Sequence, residues 1–354
     1  MHPETYADRL HRALSELHAE LFDENMNIKE GYSESIDCPV CKSSDAKSYC
    51  VKDGFRHREC NSCELVYLSP RLNKQATLAF YNSSANEVYN ESKFHTPADG
   101  SSLDDKINHA NALLISDLVG NGNGKKPLAG KKVLEIGCAK GYFLSCIHDL
   151  GGSAYGIELN KVNAAIASRR PGLIIYESDL FDLNLESESF DVVYGRDLIE
   201  HIHNPIPFLK ELSRLMKPGA LILLDTHNID GFIHRITRGK HTCIFGFEHP
   251  IHWSPKTISN ALDMVDIKVV KVKFQSLDFF PDVIIDYFKK STWTTVFQWE
   301  ANTKNLAYLN FLTKIAHLPF VGSFLSWVMP KFANSLKFGS TMKVAGFKRN
   351  KKLG

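Results

Sequence analysis

Two cysteine pairs, Cys38/Cys41 in CPVC and Cys60/Cys63 in CNSC, stand eighteen residues apart. Paired thiolates on two turns close a tetrahedral zinc site of the structural type, which has no open position for water. Such a site folds its own segment and does no chemistry itself. Free or redox-active thiols are the alternative reading, and Cys50, Cys138, Cys146 and Cys243 fall outside the pattern. Patterned cysteines without an export signal point to a reducing compartment, so the expected location is cytoplasmic.

The second chemical feature is the stretch VLEIGCAKGYF at 133–143. A strand-like run meets a glycine-bearing turn, and a helix start follows. The dinucleotide fingerprint G-x-G-x-x-G fails twice here, at Ala139 and at Tyr142, and no segment fits the phosphate-binding G-x-x-x-x-G-K-[ST] loop. The pattern that fits is acid-x-Gly-x-[Gly/Ala]-x-Gly, carried by Glu135, Gly137, Ala139 and Gly141. An acidic turn with close backbone approach suits a cationic ligand better than a phosphate.

Alternating strands and helices position this turn. KVLEI (132–136), SAYGIE (153–158), LIIYE (173–177), FDVVYG (190–195), ALILLDT (220–226) and DIKVVKVKF (266–274) read as strands. Helical segments lie between most of them, including one opened by Asn204-Pro205 and stopped by Lys217-Pro218-Gly219. This rhythm calls for a parallel sheet with helices on both faces, with ligands at the carboxyl ends of its strands. A last strand, TMKVAGFK (341–348), follows an aromatic-rich helical insertion and is expected antiparallel at the sheet edge. Leu10, Leu14, Leu17 and Leu21 recur at helical spacing, so their helix should pack on the rest of the protein or on a second subunit of a homodimer.

These motifs, in this order, resemble the class I S-adenosylmethionine-dependent methyltransferases over about residues 130–275. The resemblance implies a Rossmann-like α/β fold with a seven-stranded sheet and S-adenosylmethionine as cofactor. It implies that Glu158, 21 residues after Gly137, receives the ribose hydroxyls and that Asp179 contacts the adenine amine. FDVVYGRDLIEHI, with Asp197, looks like the family's fourth motif. The cysteine segment, followed by CELVYLSPRLNKQATLAFYN, resembles the zinc-binding N-terminal segment of some bacterial sugar and glycan methyltransferases. Some of these methylate carbon and carry a second C-terminal α/β domain. The last 80 residues here are too short and irregular for one, which favours an oxygen acceptor. The sugar and glycan resemblance implies a place in polysaccharide biosynthesis.

A hydroxyl acceptor profits from a general base with a near-neutral pKa, typically His or a His–acid pair. Glu200-His201 follows the fourth strand, and Glu248-His249 with His252 lies in FGFEHPIHWSP after the fifth. The zinc-bearing relatives' active-site residues carry over to Glu248, His249 and His201. Packing roles for His201 and His252, and a metal cluster of Glu248, His249 and His252, are the competing readings. Tyr81 and Tyr89, in the loop after the zinc module, are further acceptor candidates.

Five regions result: a helix at 1–30, the four-cysteine zinc module at 31–70, a connector at 71–130, the cofactor-binding domain at 131–275, and an insertion with the last strand at 276–354. The net charge of +2 excludes a strong nucleic-acid field. An RNA methyltransferase and a non-catalytic zinc-bearing scaffold remain the alternatives to a sugar- or glycan-modifying enzyme. Within 306–330, the stretch 315–330 is uncharged for 16 residues, too short to span a bilayer, and reads as a helix pair, a lid or a peripheral membrane contact.

Overall fold

The computed structural model describes residues 6–88, 103–120, 124, 126–231, 234–235, 244–275 and 339–350. They fall into two compact units. The first comprises Met1–His95, His227–Thr257 and Lys273–Met342; the second comprises Thr96–Thr226, Ile258–Val272 and Lys343–Gly354.

The first unit opens with α1 (Tyr6–Leu21), whose Ala13, Leu14, Leu17 and Leu21 are buried in a core shared with Phe22, Phe55, Phe80 and Phe247. Leu14, Leu17 and Leu21 of its stripe are thus buried inside its own unit. A two-stranded ribbon pairs β1 (Ser33–Glu34) with β5 (Arg71–Leu72). Between them lie β2 (Ala46–Lys52), β3 (Phe55–Cys60) and β4 (Val66–Leu68), an antiparallel sheet. Helix α2 (Lys74–Tyr81) follows, its N-terminus capped by the Asn73 side chain, which accepts from the Ala76 N–H. Tyr81 therefore closes a helix, where the sequence suggested a loop; Tyr89 lies outside the described residues.

The second unit holds α3 (Leu103–Val119) and the seven-stranded sheet except for strand ends at 227, 273–275 and 341–342, which fall in the first unit. Its elements run β6 (Lys132–Ile136), α4 (Tyr142–Asp149), β7 (Ser153–Ile157), α5 (Lys161–Ser168), β8 (Leu173–Tyr176), β9 (Phe190–Arg196), α6 (Pro205–Leu215) and β10 (Met216–His227). After β11 (Ile251–His252), which belongs to the first unit, come α7 (Pro255–Asp263), β12 (Ile267–Gln275) and β13 (Thr341–Lys348). The sheet order is β12-β13-β10-β9-β6-β7-β8, and the pairs β10/β9, β9/β6, β6/β7 and β7/β8 are parallel. Apolar side chains from α3, α4 and the strands, among them Ile115, Leu144, Val192 and Leu221, fill the core. The chain leaves β6 toward β8 and returns at β9, so the carboxyl ends of β6 and β9 flank the switch point where such folds bind ligands.

Two expectations need correction. The final strand is not at the sheet edge: β13 lies between β12 and β10. Met342 to Gly346 form a buried run, and Lys343 makes a buried ion pair with Asp225, as suits an interior strand. The edge is β12, whose exposed Lys268, Lys271 and Lys273 blunt it against further pairing. Helix α6 also stops earlier than expected, at Leu215. Pro218 disfavours a helical conformation at Lys217, and Met216, already extended, pairs with Phe190 of β9. No helix among the described residues is long and apolar enough to cross a membrane, and the 306–330 stretch and most of the insertion lie outside them.

Candidate functional site

The glycine turn after β6 is built from backbone angles. Gly137, Ala139 and Gly141 all have positive φ, at 71°, 45° and 74°. Ala139 is the non-glycine among them and carries left-handed strain of about 1–2 kcal/mol. The turn is stitched to β7: the N–H groups of Gly137 and Cys138 donate to Ile157 O at 2.8 and 3.1 Å. Arg170 braces its far side, donating to Lys140 O at 2.7 Å while its guanidinium lies over the Tyr142 ring.

Glu158, just past β7, joins this turn. Its Oε2 accepts from the Ala139 N–H at 2.8 Å and its Oε1 from the Asn160 N–H at 2.7 Å. Each carboxylate oxygen keeps a second acceptor position, so the group is held rigid yet can still receive two hydroxyls. Glu135 lies on β6 itself, buried, and its Oε2 has no hydrogen-bond partner. Burial pushes its carboxyl up to about 8, against the pull of Arg196 and with a further push from Glu158. A buried carboxylate oxygen without a hydrogen-bond partner, beside a turn lacking phosphate-binding features, suits a cation.

The other strand-end acids are exposed. Asp179 accepts from the Phe181 N–H at 2.9 Å, opening a short turn. Asp197 follows β9 with φ 48°, and its N–H donates to Asp225 O at 2.8 Å. Arg196 beside it reaches Asp104 and Asn108 of α3. Leu159 and Phe181, adjacent in sequence to Glu158 and close after Asp179, are 66% and 60% exposed. Sequence reasoning missed this pair; apolar residues soon after strand-end acids were the available signal. S-adenosylmethionine fits these groups, with a buried acid for its charge, a rigid carboxylate for a diol and exposed apolar side chains for a purine.

Of the acid–base candidates, the second unit holds Glu200 and His201. Glu200 is buried and accepts from the Thr226 Oγ1 at 2.8 Å. His201 is half-buried in the turn Ile199–His201, its N–H donating to Leu198 O.

The first unit holds the rest. Its core anchors the Glu248-His249 segment through Phe247, whose ring lies 4.9 Å from Phe55 and 5.4 Å from Phe80. Gly246 permits this approach, because a Cβ there would come within 2.2 Å of the Phe55 ring. Glu248 is buried, and Tyr81, whose hydroxyl is pushed above its usual range by burial and by Glu248, is close to it. The short strand β11 then adds to the zinc-module sheet, pairing Ile251 with Tyr67 and His252 with Val66. His252 is fully buried between two other imidazoles, His57 and His227. Neither His57 nor His227 was legible in the sequence, since no local motif surrounds them.

The four patterned cysteines converge in this unit. Their sulfurs all lie within 4.8 Å of one another, with Cys38–Cys63 and Cys41–Cys60 at 3.5 Å. Sulfurs about 2.3 Å from a tetrahedral zinc would stand about 3.8 Å apart, so the donor set fits that ion.

Comparisons with known proteins agree with the second unit. Residues 107–272 match the family model described as a methyltransferase domain. The chain is 30% identical over 140 residues to a ubiquinone biosynthesis O-methyltransferase of Maricaulis maris, covering 38% of this chain and 53% of that protein. It is 34% identical over 101 residues to a probable S-adenosylmethionine-dependent methyltransferase of Mycolicibacterium smegmatis, covering 28% and 39%. A solved SAM-dependent methyltransferase structure from Archaeoglobus fulgidus aligns at 16% identity over 74% of this chain and 99% of that one, with a TM-score of 0.45. The chain spans about half the length of the first curated relatives it matches. Residues 107–272, which carry most of the mixed α/β sheet, are thus similar to a methyltransferase domain.

Proposed function

We propose that the chain is an S-adenosylmethionine-dependent methyltransferase acting on a hydroxyl of a small acceptor. The observation that carries this reading is Glu158, whose two carboxylate oxygens are fixed by the Ala139 and Asn160 N–H groups at the mouth of the glycine turn. When bound, S-adenosylmethionine supplies a methyl group on a sulfonium centre, displaced in line with a neutral sulfide leaving.

In this reading the backbone at Gly137, Ala139 and Gly141 lets the donor lie close to β6. Glu158 receives the ribose hydroxyls, Glu135 offsets the cationic end, and Asp179 and Asp197 border the pocket. Leu159 and Phe181 offer apolar faces to the purine. His249, oriented by its neighbour Glu248, takes the acceptor's hydroxyl proton, and His201 is the second candidate for that role. The four cysteines hold zinc, which folds the segment around β3 and β4 and so fixes β11 behind His249.

The acceptor is a sugar, nucleotide-linked sugar or glycan unit, supported by the likeness of the cysteine segment to that of sugar methyltransferases. A second acceptor class, intermediates of ubiquinone biosynthesis, is favoured by the names of the relatives. Incubation with methyl-labelled S-adenosylmethionine and both acceptor classes separates them. Label in a sugar supports the first, label in a ubiquinone intermediate supports the second, and label in neither overturns hydroxyl methylation of these classes. His249→Ala should keep donor affinity and lose turnover; unchanged turnover removes His249 from the mechanism.

A further inference from the structure

Three histidines from distant parts of the chain meet in the interior of the first unit. His57 lies on β3, His227 ends β10 and His252 lies on β11; they are 1%, 4% and 0% exposed. His252 Nε2 stands 3.1 Å from His57 Nδ1, and His252 Nδ1 stands 3.0 Å from His227 Nε2. The middle ring therefore uses both its nitrogens on other imidazoles. It has none left for an acceptor, which takes His252 out of direct acid–base chemistry.

A neutral imidazole has one N–H and one lone pair, so two bonds in series must run in the same sense. If His57 donates from Nδ1 to His252 Nε2, then His252 donates from Nδ1 to His227 Nε2. His227 then carries its own hydrogen on Nδ1. The opposite sense reverses all three rings together. Burial keeps two of the rings neutral, lowering His57 to about 3 and His252 well below its usual range. His227 in turn stacks on the ring of His249, with centroids 5.2 Å apart and planes at 27°.

We propose that His57, His252 and His227 form one tautomer-coupled imidazole relay that fixes His227, and through the stacked ring fixes the orientation of His249. His57, His227 and His252 are then positioning residues. The kinetic half of this inference rests on the methyltransferase reading; the coupled tautomer does not. β3 carries both His57 and the zinc-site residue Cys60, so the folded cysteine module also holds the first ring of the relay in place.

The test exploits side-chain shape in the full, zinc-loaded protein. An asparagine amide reaches the position of Nδ1 and a glutamine amide that of Nε2. His252→Asn should keep the bond to His227, and His252→Gln should keep only the bond to His57. With 15N-labelled histidine, ring-nitrogen shifts report the tautomer of His227. The wild type should show the same tautomer in all three rings; His252→Asn should keep the hydrogen bond at His227 Nε2 and His252→Gln should lose it, with a shift of the His249 ring protons. With an acceptor from the panel above, kcat should fall about 10- to 100-fold in His252→Gln and less than about threefold in His252→Asn. Calorimetric donor affinity should be unchanged in both.

Rings of differing tautomer in the wild type, a His227 Nε2 signal untouched by His252→Gln, or two variants that behave alike, overturn the relay. If the His252 variants do not fold, His57 gives the same split: its bonded nitrogen is Nδ1, so His57→Asn should keep the hydrogen bond at His252 Nε2 and His57→Gln should lose it. A wild type that methylates no acceptor refutes the proposed function, while the ring-nitrogen shifts still decide the relay.

Discussion

The glycine turn and the histidine cluster are both polar arrangements, but they are built in opposite ways. Around the turn, the polar groups lie on or just after neighbouring strands, and Glu158 is held by the backbone of its own loop and of the glycine turn. Glu158 is fixed by N–H groups within 19 residues of it in sequence. In the first unit, His57 and His252 are partners across 195 positions of sequence, and each ring depends on the others. The first arrangement leaves half-buried and exposed acids facing outward; the second closes on itself. A binding site must keep acceptor positions open, whereas a positioning device must use its own up.

The sharpest way to break this contrast is to remove the metal site. Cys60→Ser should take zinc from one per chain to none and unfold the first unit, because structural zinc contributes about 10 kcal/mol or more of folding free energy. Metal analysis and limited proteolysis read both, and donor affinity in the second unit should hold. A folded first unit without zinc would show that its aromatic core, not the cysteines, sustains it.

Packing beside the histidines gives the next effect. Gly246→Ala places a methyl group against the Phe55 ring and should cost about 1–3 kcal/mol, seen as a lower melting temperature. An unchanged melting temperature would mean that the Glu248-His249 segment is not anchored through Phe247.

The pH response separates the regions further. Glu135 titrates near 8 in the folded chain against 4.5 ordinarily. The folded state therefore holds its proton more tightly, and this contribution to stability is complete below 4.5 and lost as pH rises through 8. A cationic donor favours the ionised form, so its affinity should rise with pH toward 8, by at most about tenfold per unit. It should then level off, and Glu135→Gln should flatten the profile. A flat wild-type profile would place the sulfonium away from Glu135. The smallest effect belongs to the turn's strained residue: Ala139→Gly should stabilise the chain by about 1 kcal/mol in thermal unfolding.

Legibility followed the same division. The cysteine pairs, the glycine turn and the strand-end acids were readable because each is a local pattern with fixed spacing. The strands from KVLEI to DIKVVKVKF fell where their apolar runs put them, within a few residues. The interior place of β13 was missed because an apolar run alone does not say which neighbours it takes; its buried Lys343 makes sense only once Asp225 is beside it. β11 was invisible as a strand, being two residues long and paired to a segment far earlier in the chain. His57 and His227 were missed for the same reason, since only tertiary contact gives them partners.

Calorimetric titration of S-adenosylmethionine into the wild type and Glu158→Ala tests the central claim most directly. The account predicts one donor bound per wild-type chain and an affinity at least about 100-fold weaker in the variant, from the loss of a charged acceptor for two hydroxyls. No binding to the wild type, or equal binding to both proteins, would contradict it.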